Sequence, residues 1–288
     1  MDKYYRFAGV EITVRIPDPW MYGDDRQLAP FRVSQVKNPH LFQFEPLEVI
    51  SAPTGNLEVQ IPGVRVYREN GNYVRYIGSV DNDWEKAYIR VAYGEQESKV
   101  QVKINGPLTE IGVKTVLNSL CAEHLVAKAG GFLFHCAYIA WKGKSILFTA
   151  PSGTGKSTQA DLWEKYRGAE IINGDRAAVC KKDNMLVAEG IPFSGSSRYC
   201  HNLALPLTAV VYLSQAPVTT IRKLHGMEAF LKVWEGVSVN SWIKEDVEQV
   251  SDAVQQLVTE IPVYHLACTP DESAVIALEE ALRKQESV

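Results

Sequence analysis

The run Ala150-Pro151-Ser152-Gly153-Thr154-Gly155-Lys156-Ser157-Thr158 puts two glycines, a lysine and several hydroxyls into one short stretch. That composition suits an anion. Gly153 and Gly155 let successive backbone N–H groups converge on phosphate oxygens with no Cβ in the way. Lys156 adds a full positive charge that would bridge β- and γ-phosphates, and the Ser157 hydroxyl would ligate Mg²⁺. The stretch follows the phosphate-loop pattern G-x-x-x-x-G-K-[ST] with alanine in the first position. Ala150 is the smallest departure available at a residue that ends a strand. Ser152, Gly153, Thr154, Gly155, Lys156, Ser157 and Thr158 are therefore the expected nucleotide-binding set, with ATP and Mg²⁺ as the expected cofactors.

Transfer of a phosphoryl group also needs a side chain that orients the nucleophile or holds metal. Asp175, in Ile172-Asn173-Gly174-Asp175-Arg176, stands just past an apolar strand and is the first choice for a general base. The alternative is an Asn-Gly-Asp turn that merely ends the strand. Glu189 ends another strand before a loop with Pro192, Gly195 and three serines; it is either a metal ligand or a solvated strand-end carboxylate. Ser157, Glu189 and Asp175 form the expected metal set. His135 lies inside Phe132-Leu133-Phe134-His135-Cys136-Ala137, where a histidine is more often a satisfied core residue than a catalytic one. Arg176 and Arg198 could neutralise charge on a transferring group, or be ordinary surface residues.

Elements of two kinds must position these residues. The tract 145–150 is apolar and feeds directly into the loop, which opens a helix running to about Tyr166. Upstream, 132–141 and 145–150 read as two strands of a hairpin joined by Lys142-Gly143-Lys144. A helix is expected over about 111–129, stopped by Gly130-Gly131. Further strands are expected at 169–173, from Ala177 to Cys180, at 185–188, at 207–213 and at 263–267, with helices at 226–235 and 245–259. The last helix is expected to start at Thr269-Pro270-Asp271-Glu272, with Thr269 as its cap. The first hundred residues read as β-structure, with strands at 10–16, 64–69, 73–80, 86–93 and 99–104. Turns are expected at Asn70-Gly71-Asn72 and Asn105-Gly106-Pro107. Residues 1–110 thus form a β-rich region for substrate recognition or cover, and 111–288 carry the chemistry.

Of the 288 residues 46% are hydrophobic and 22% charged, enough to bury a core. A net charge of −4 argues against a nucleic-acid footprint, which needs a basic face. The five cysteines include no Cys-x-x-Cys pair, which suggests neither a disulfide framework nor a zinc site. The N-terminal residues lack the basic-then-apolar plan of a signal peptide, and no tract is long enough to span a bilayer. A cytoplasmic protein with no membrane partner is the expectation.

Taken together, His135, the loop through Thr158 and the segment Ala169–Val179 resemble the HPr kinase/phosphorylase family and its relative, ATP-dependent phosphoenolpyruvate carboxykinase. The resemblance covers about 130–200 well, 205–285 loosely, and not the N-terminal half. It implies an α/β fold whose C-terminal P-loop kinase core is of the HPr kinase/carboxykinase type, joined to the β-rich region. It implies that Lys156 stabilises the phosphoryl group, Asp175 is the base, Ser157 and Glu189 hold Mg²⁺, and His135 assists near the phosphates. Two departures stand out. The family has adjacent aspartates where this chain has Asp175-Arg176, and an Arg-Gly signature where Gly190-Ile191-Pro192-Phe193 stands. One carboxylate would then serve both metal and base, and reverse phosphorolysis loses its support.

The function expected from these residues is a kinase that transfers the γ-phosphoryl group of ATP to a serine of a small protein or peptide. A small-molecule kinase on the same core is one alternative, and a nucleotide-binding regulator without transfer activity is another. The resemblance also allows a homo-oligomer, since HPr kinases form hexamers.

Overall fold

Apolar and polar residues alternate along strands of the N-terminal sheet such as Glu97–Lys103, whereas strands of the C-terminal sheet such as Lys144–Thr149 are almost continuously buried, as a sheet covered on both faces requires. A computed structural model describes residues 2–23, 26–79, 87–104, 110–195 and 197–286. The turn expected at 105–107, and the outer residues Val80 and Lys86 of two expected strands, lie outside the described residues. The chain divides into two units: Met1–Arg6 with Val10–Cys121, and Phe7–Gly9 with Ala122–Val288.

The first unit holds β1 (Asp2–Phe7), β2 (Val10–Arg15), β3 (Met21–Tyr22), β4 (Arg32–Val33), β5 (His40–Leu47), β6 (Asn56–Ile61), β7 (Gly63–Glu69), β8 (Asn72–Ser79), β9 (Ile89–Tyr93), β10 (Glu97–Lys103), β11 (Glu110–Ile111) and α1 (Val113–Ser119). Nine of these strands form one sheet in the order β4-β1-β2-β5-β10-β9-β8-β7-β6, parallel where β5 meets β2 and β10. Phe42 and Phe44 of β5 and Ser98, Val100 and Val102 of β10 point inward, with polar residues between them. Asn70 and Gly71 both have positive φ, which closes the β7–β8 hairpin where the turn was expected. Glu69 is buried and ion-paired to Arg90 at 2.7 Å. Burial beside this pair pushes the Tyr76 hydroxyl up to about 12.

The second unit holds α2 (Ala122–Lys128), β12 (Phe132–His135), β13 (Ala137–Trp141), β14 (Lys144–Thr149), α3 (Lys156–Arg167), β15 (Glu170–Asn173), β16 (Arg176–Lys182), β17 (Met185–Glu189), β18 (Ala204–Gln215), β19 (Thr220–Leu224), α4 (Gly226–Trp234), β20 (Val237–Ser238), α5 (Lys244–Glu260), β21 (Val263–Cys268) and α6 (Glu272–Glu286). Its ten strands form one sheet in the order β15-β13-β14-β18-β17-β16-β12-β20, with β21 beside β18 and β19 beside β21. Helices cover both faces. Ile146 and Phe148 pack with Ala160 and Trp163 of α3 and with Val275 and Leu278 of α6. Leu147 belongs to the opposite face, with Val233 of α4 and Val254 of α5. The alternation along β14 therefore buries both sides of the strand that leads into the loop.

Three sequence expectations change here. The helix expected over 111–129 is two helices, because Cys121 adopts φ 48° and breaks the ladder between α1 and α2. The apolar tract 132–141 is two strands; β13 alone makes the hairpin with β14 through Lys142 and Gly143, both at positive φ. β12 pairs instead with β16 and β20. The last helix begins at Glu272, and its first free N–H, on Ser273, is accepted by Asp271 Oδ1 at 2.8 Å rather than by Thr269. β1, β5, β6 and β19, and the two-residue strands β3, β4, β11 and β20, were not among the expected strands.

Trp163 is fully buried, its ring 5.0 Å from that of Trp141, and its Nε1 has no hydrogen-bond partner among the described residues. Trp163→Ala is expected to cost about 3–5 kcal/mol of stability. Trp163→Phe should cost much less, since it also removes the orphaned donor. Chemical denaturation of both variants checks this order.

Candidate active site

The strand β14 ends at Thr149; its neighbour β18 runs parallel to it, and β21 in turn runs parallel to β18. β13 is antiparallel to both β14 and β15, so β15 runs in the same direction as β14. The carboxyl ends of these strands share one edge of the sheet, where open α/β sheets bind ligands. The loop between β14 and α3 turns on Gly153 at φ 78° and Gly155 at φ 121°, conformations that a side chain would strain. Gly155 caps α3 and supplies no side-chain hydrogen bond, which leaves the first N–H groups of the helix directed at whatever lies in front of it. Lys156 is buried and its Nζ donates to the carbonyls of Ala150 at 2.9 Å and Pro151 at 3.4 Å. Burial lowers its pKa, opposed by the nearby Asp175 carboxylate.

Asp175 reaches the same place through the turn after β15. Asn173 is fully buried, and its Oδ1 accepts the N–H groups of Asp175 at 2.9 Å and Arg176 at 3.0 Å. Its Nδ2 donates to the carbonyls of Ile191 and Phe193, which ties the loop after β17 to the same turn. The Asp175 carboxylate lies 3.7 Å from His135 Nδ1 and 3.3 Å from Arg176 Nε. The Cys136 N–H donates to the Asp175 carbonyl at 3.0 Å, and Thr149 Oγ1 donates to the His135 carbonyl at 3.0 Å. These two bonds lock the ends of β12, β14 and the Asp175 turn together. Burial, with Lys156 next, lowers the His135 pKa, while Asp175 opposes the shift.

His135, Ser152, Gly153, Gly155, Lys156, Ser157, Thr158 and Asp175 all line one cavity of 460 Å³. Thr154 lines a second cavity on the other side of the loop. Glu189 lines neither. It is buried on β17, ion-paired to Lys182, and accepts the Ala8 N–H at 2.6 Å. Among the described residues no cluster of three His, Cys, Asp or Glu side chains is arranged to hold a metal. Of the oxygen-bearing side chains that line the cavity, the expected ligands Ser157 and Asp175 are of the kind that suits Mg²⁺, which takes one or two carboxylates beside phosphate oxygens and water.

The cavity also contains residues that the sequence reading passed over: Asp161, Ser197 and Tyr199. Asp161 was detectable, because it stands four residues after Ser157 on α3 and so shares its face. Arg198, an open candidate in the sequence, lines the cavity, and Arg176 pairs with Asp175. Among the described residues no disulfide links the five cysteines, and burial pushes the Cys136 thiol well up and Cys180 up to about 11.

Gly195 closes over Asp175: a Cβ there would lie 2.7 Å from the carboxylate carbon, at φ 54°. Gly195→Ala is therefore expected to displace the carboxylate and, where Asp175 serves as a base, to lower turnover by about tenfold to a hundredfold, in line with the cost of a 1 Å misplacement. A kcat and KM comparison with wild type checks it.

Among the described residues no helix is long and apolar enough to cross a membrane. No curated protein matches this chain. One solved structure, "Structure of the Hpr(Ser) kinase/phosphatase from Coxiella burnetii", is similar over 54% of this chain and 93% of its own, at 11% identity and a TM-score of 0.32. That score is too low to place the two chains in one fold. The family model described as "SynChlorMet cassette protein ScmC" matches residues 110–273, more than half of the chain and the whole of the loop and its cavity, and the chain belongs to that family.

Proposed function

We propose that this chain is an ATP-dependent kinase with a P-loop core, whose acceptor is a hydroxyl, most simply a serine of a small protein or peptide. The observation that carries the reading is the convergence of Lys156, Ser157, Asp175 and His135 on one cavity, from three separate segments of the chain. The uncapped start of α3 and the two positive-φ glycines fit a polyphosphate chain lying against the loop.

In this reading the Asp175 carboxylate takes the proton of the acceptor hydroxyl as its oxygen bonds to the γ-phosphorus. The bond from that phosphorus to the β–γ bridging oxygen breaks, and the electron pair leaves with ADP. Lys156 leaves its two loop carbonyls and neutralises charge on the β- and γ-oxygens. A bound Mg²⁺ would supply further neutralisation there, and Ser157 and Asp175 would hold it. His135, whose pKa burial and Lys156 lower, faces Asp175 across 3.7 Å.

One observation favours a second reading, a nucleotide-binding regulator without transfer: Arg176 Nε sits 3.3 Å from the Asp175 carboxylate and competes for its oxygens. Radiolabel transfer from γ-labelled ATP with Mg²⁺ to a panel of serine peptides and small hydroxyl metabolites decides. Label in a peptide supports the proposal, and label only in a metabolite replaces the acceptor class. ATP binding with no labelled acceptor across the panel favours the regulator.

A further inference from the structure

The loop has a cavity on each flank, and the two are chemically unlike. The first holds the ionisable residues described above. The second, of 570 Å³, lies between the start of α3 and the carboxyl ends of β18 and β21. Leu213, Pro217, Cys268 and Pro270 give it apolar surface, and it shares Gly153, Gly155 and Thr158 with the first cavity. Its volume falls in the range of small-molecule clefts.

One buried side-chain oxygen there is left without a partner among the described residues. Gln159 is 3% exposed; its Nε2 donates to Cys268 Sγ at 3.3 Å, and its Oε1 accepts no hydrogen bond among the described residues. A buried amide oxygen in that state gains from any donor that reaches it. The terminal torsion of a glutamine is soft, so a small turn presents the amide to the cavity that Gln159 lines. Ser214 also lines this cavity, its Oγ held 2.8 Å from His265 Nε2, and a hydroxyl so held retains capacity for a second hydrogen bond.

A nucleoside triphosphate lying across the loop has two ends, and the cavities differ in what they can do with each. The γ-phosphoryl end belongs with Asp175 and His135, since among the described residues lining the two cavities a carboxylate or imidazole lines the first alone. We infer that the second cavity receives the nucleobase and ribose of the donor, that Gln159 accepts a hydrogen bond from an exocyclic amino group, and that Ser214 meets a ribose hydroxyl. The apolar walls take the faces of the base. This assignment rests on the proposal that the loop binds a nucleotide.

Calorimetric binding of ATP, inosine triphosphate and inorganic tripolyphosphate to the full chain tests it. Tripolyphosphate carries the greater charge, so any tighter binding of ATP reports on the nucleoside. ATP is expected to bind at least about tenfold tighter than tripolyphosphate. It should exceed inosine triphosphate, which lacks the amino group, by about fivefold to tenfold. Gln159→Leu should abolish the second preference and leave tripolyphosphate affinity unchanged. Equal binding of ATP and tripolyphosphate overturns the base site while the phosphate loop stands. Equal binding of ATP and inosine triphosphate by wild type overturns the role of Gln159 without any variant having to fold. Binding of none of the three overturns both this inference and the nucleotide reading beneath it.

Discussion

Lys156→Met is expected to lower phosphoryl transfer by about 10²–10³-fold, the loss seen when one charge-stabilising donor is removed from a transition state. Methionine matches the buried stem of the lysine at the start of α3, so the helix keeps its packing. The carbonyl of Ala150 loses its donor, which costs about 1–3 kcal/mol if it stays dry. The unfolding midpoint should accordingly fall by only several degrees. Transfer and thermal unfolding measured on one preparation separate the two effects. A variant that folds and still transfers at the wild-type rate would remove the loop from the chemistry.

Asp175→Asn should cost about 10²–10⁴-fold in kcat, the usual contribution of a positioned general base. Asparagine keeps the shape that Gly195 closes over and keeps its own N–H on Asn173 Oδ1, so the turn is expected to hold. Affinity for ATP should change little, because the base acts chiefly in the transition state. Arg176 and Lys156 both lose a neighbouring carboxylate, and the lysine pKa should drop further, since Asp175 is what opposes its burial. Unchanged label transfer in Asp175→Asn would defeat the base assignment. If wild type itself binds ATP and labels nothing, the same substitution should alter affinity alone, as the regulator reading requires.

How much of this was legible in the residues varied with the reach of the interaction involved. The hairpin β13–β14 was readable, because Lys142-Gly143 supplies the two positive-φ positions of a tight turn between apolar runs. The break at Cys136 was not. The tract 132–141 is apolar throughout, and nothing local says that the His135 N–H bonds Gly236 while the Cys136 N–H bonds Asp175. The break at Cys121 was hidden in the same way, since an apolar periodicity continues across it. Glu189 and Asp175 look alike in sequence, each a carboxylate at a strand end. In the tertiary structure one lines the cavity and the other is taken up by Lys182 and the Ala8 N–H.

Local residue types thus determined the parts that depend on a few neighbouring torsions: the glycine-rich turn, the helix that starts at Lys156, and the strand that feeds it. Only the tertiary structure decided which side chains meet. Lys156 and Asp175 follow different strands and His135 ends a third, and their convergence depends on sheet order and strand direction. The same holds for Gln159, whose unpaired oxygen and flanking cavity exist because β18 and β21 end beside α3. Backbone preference acts over a turn or two, whereas strand pairing joins residues far apart in the chain and is selected by the burial of whole faces.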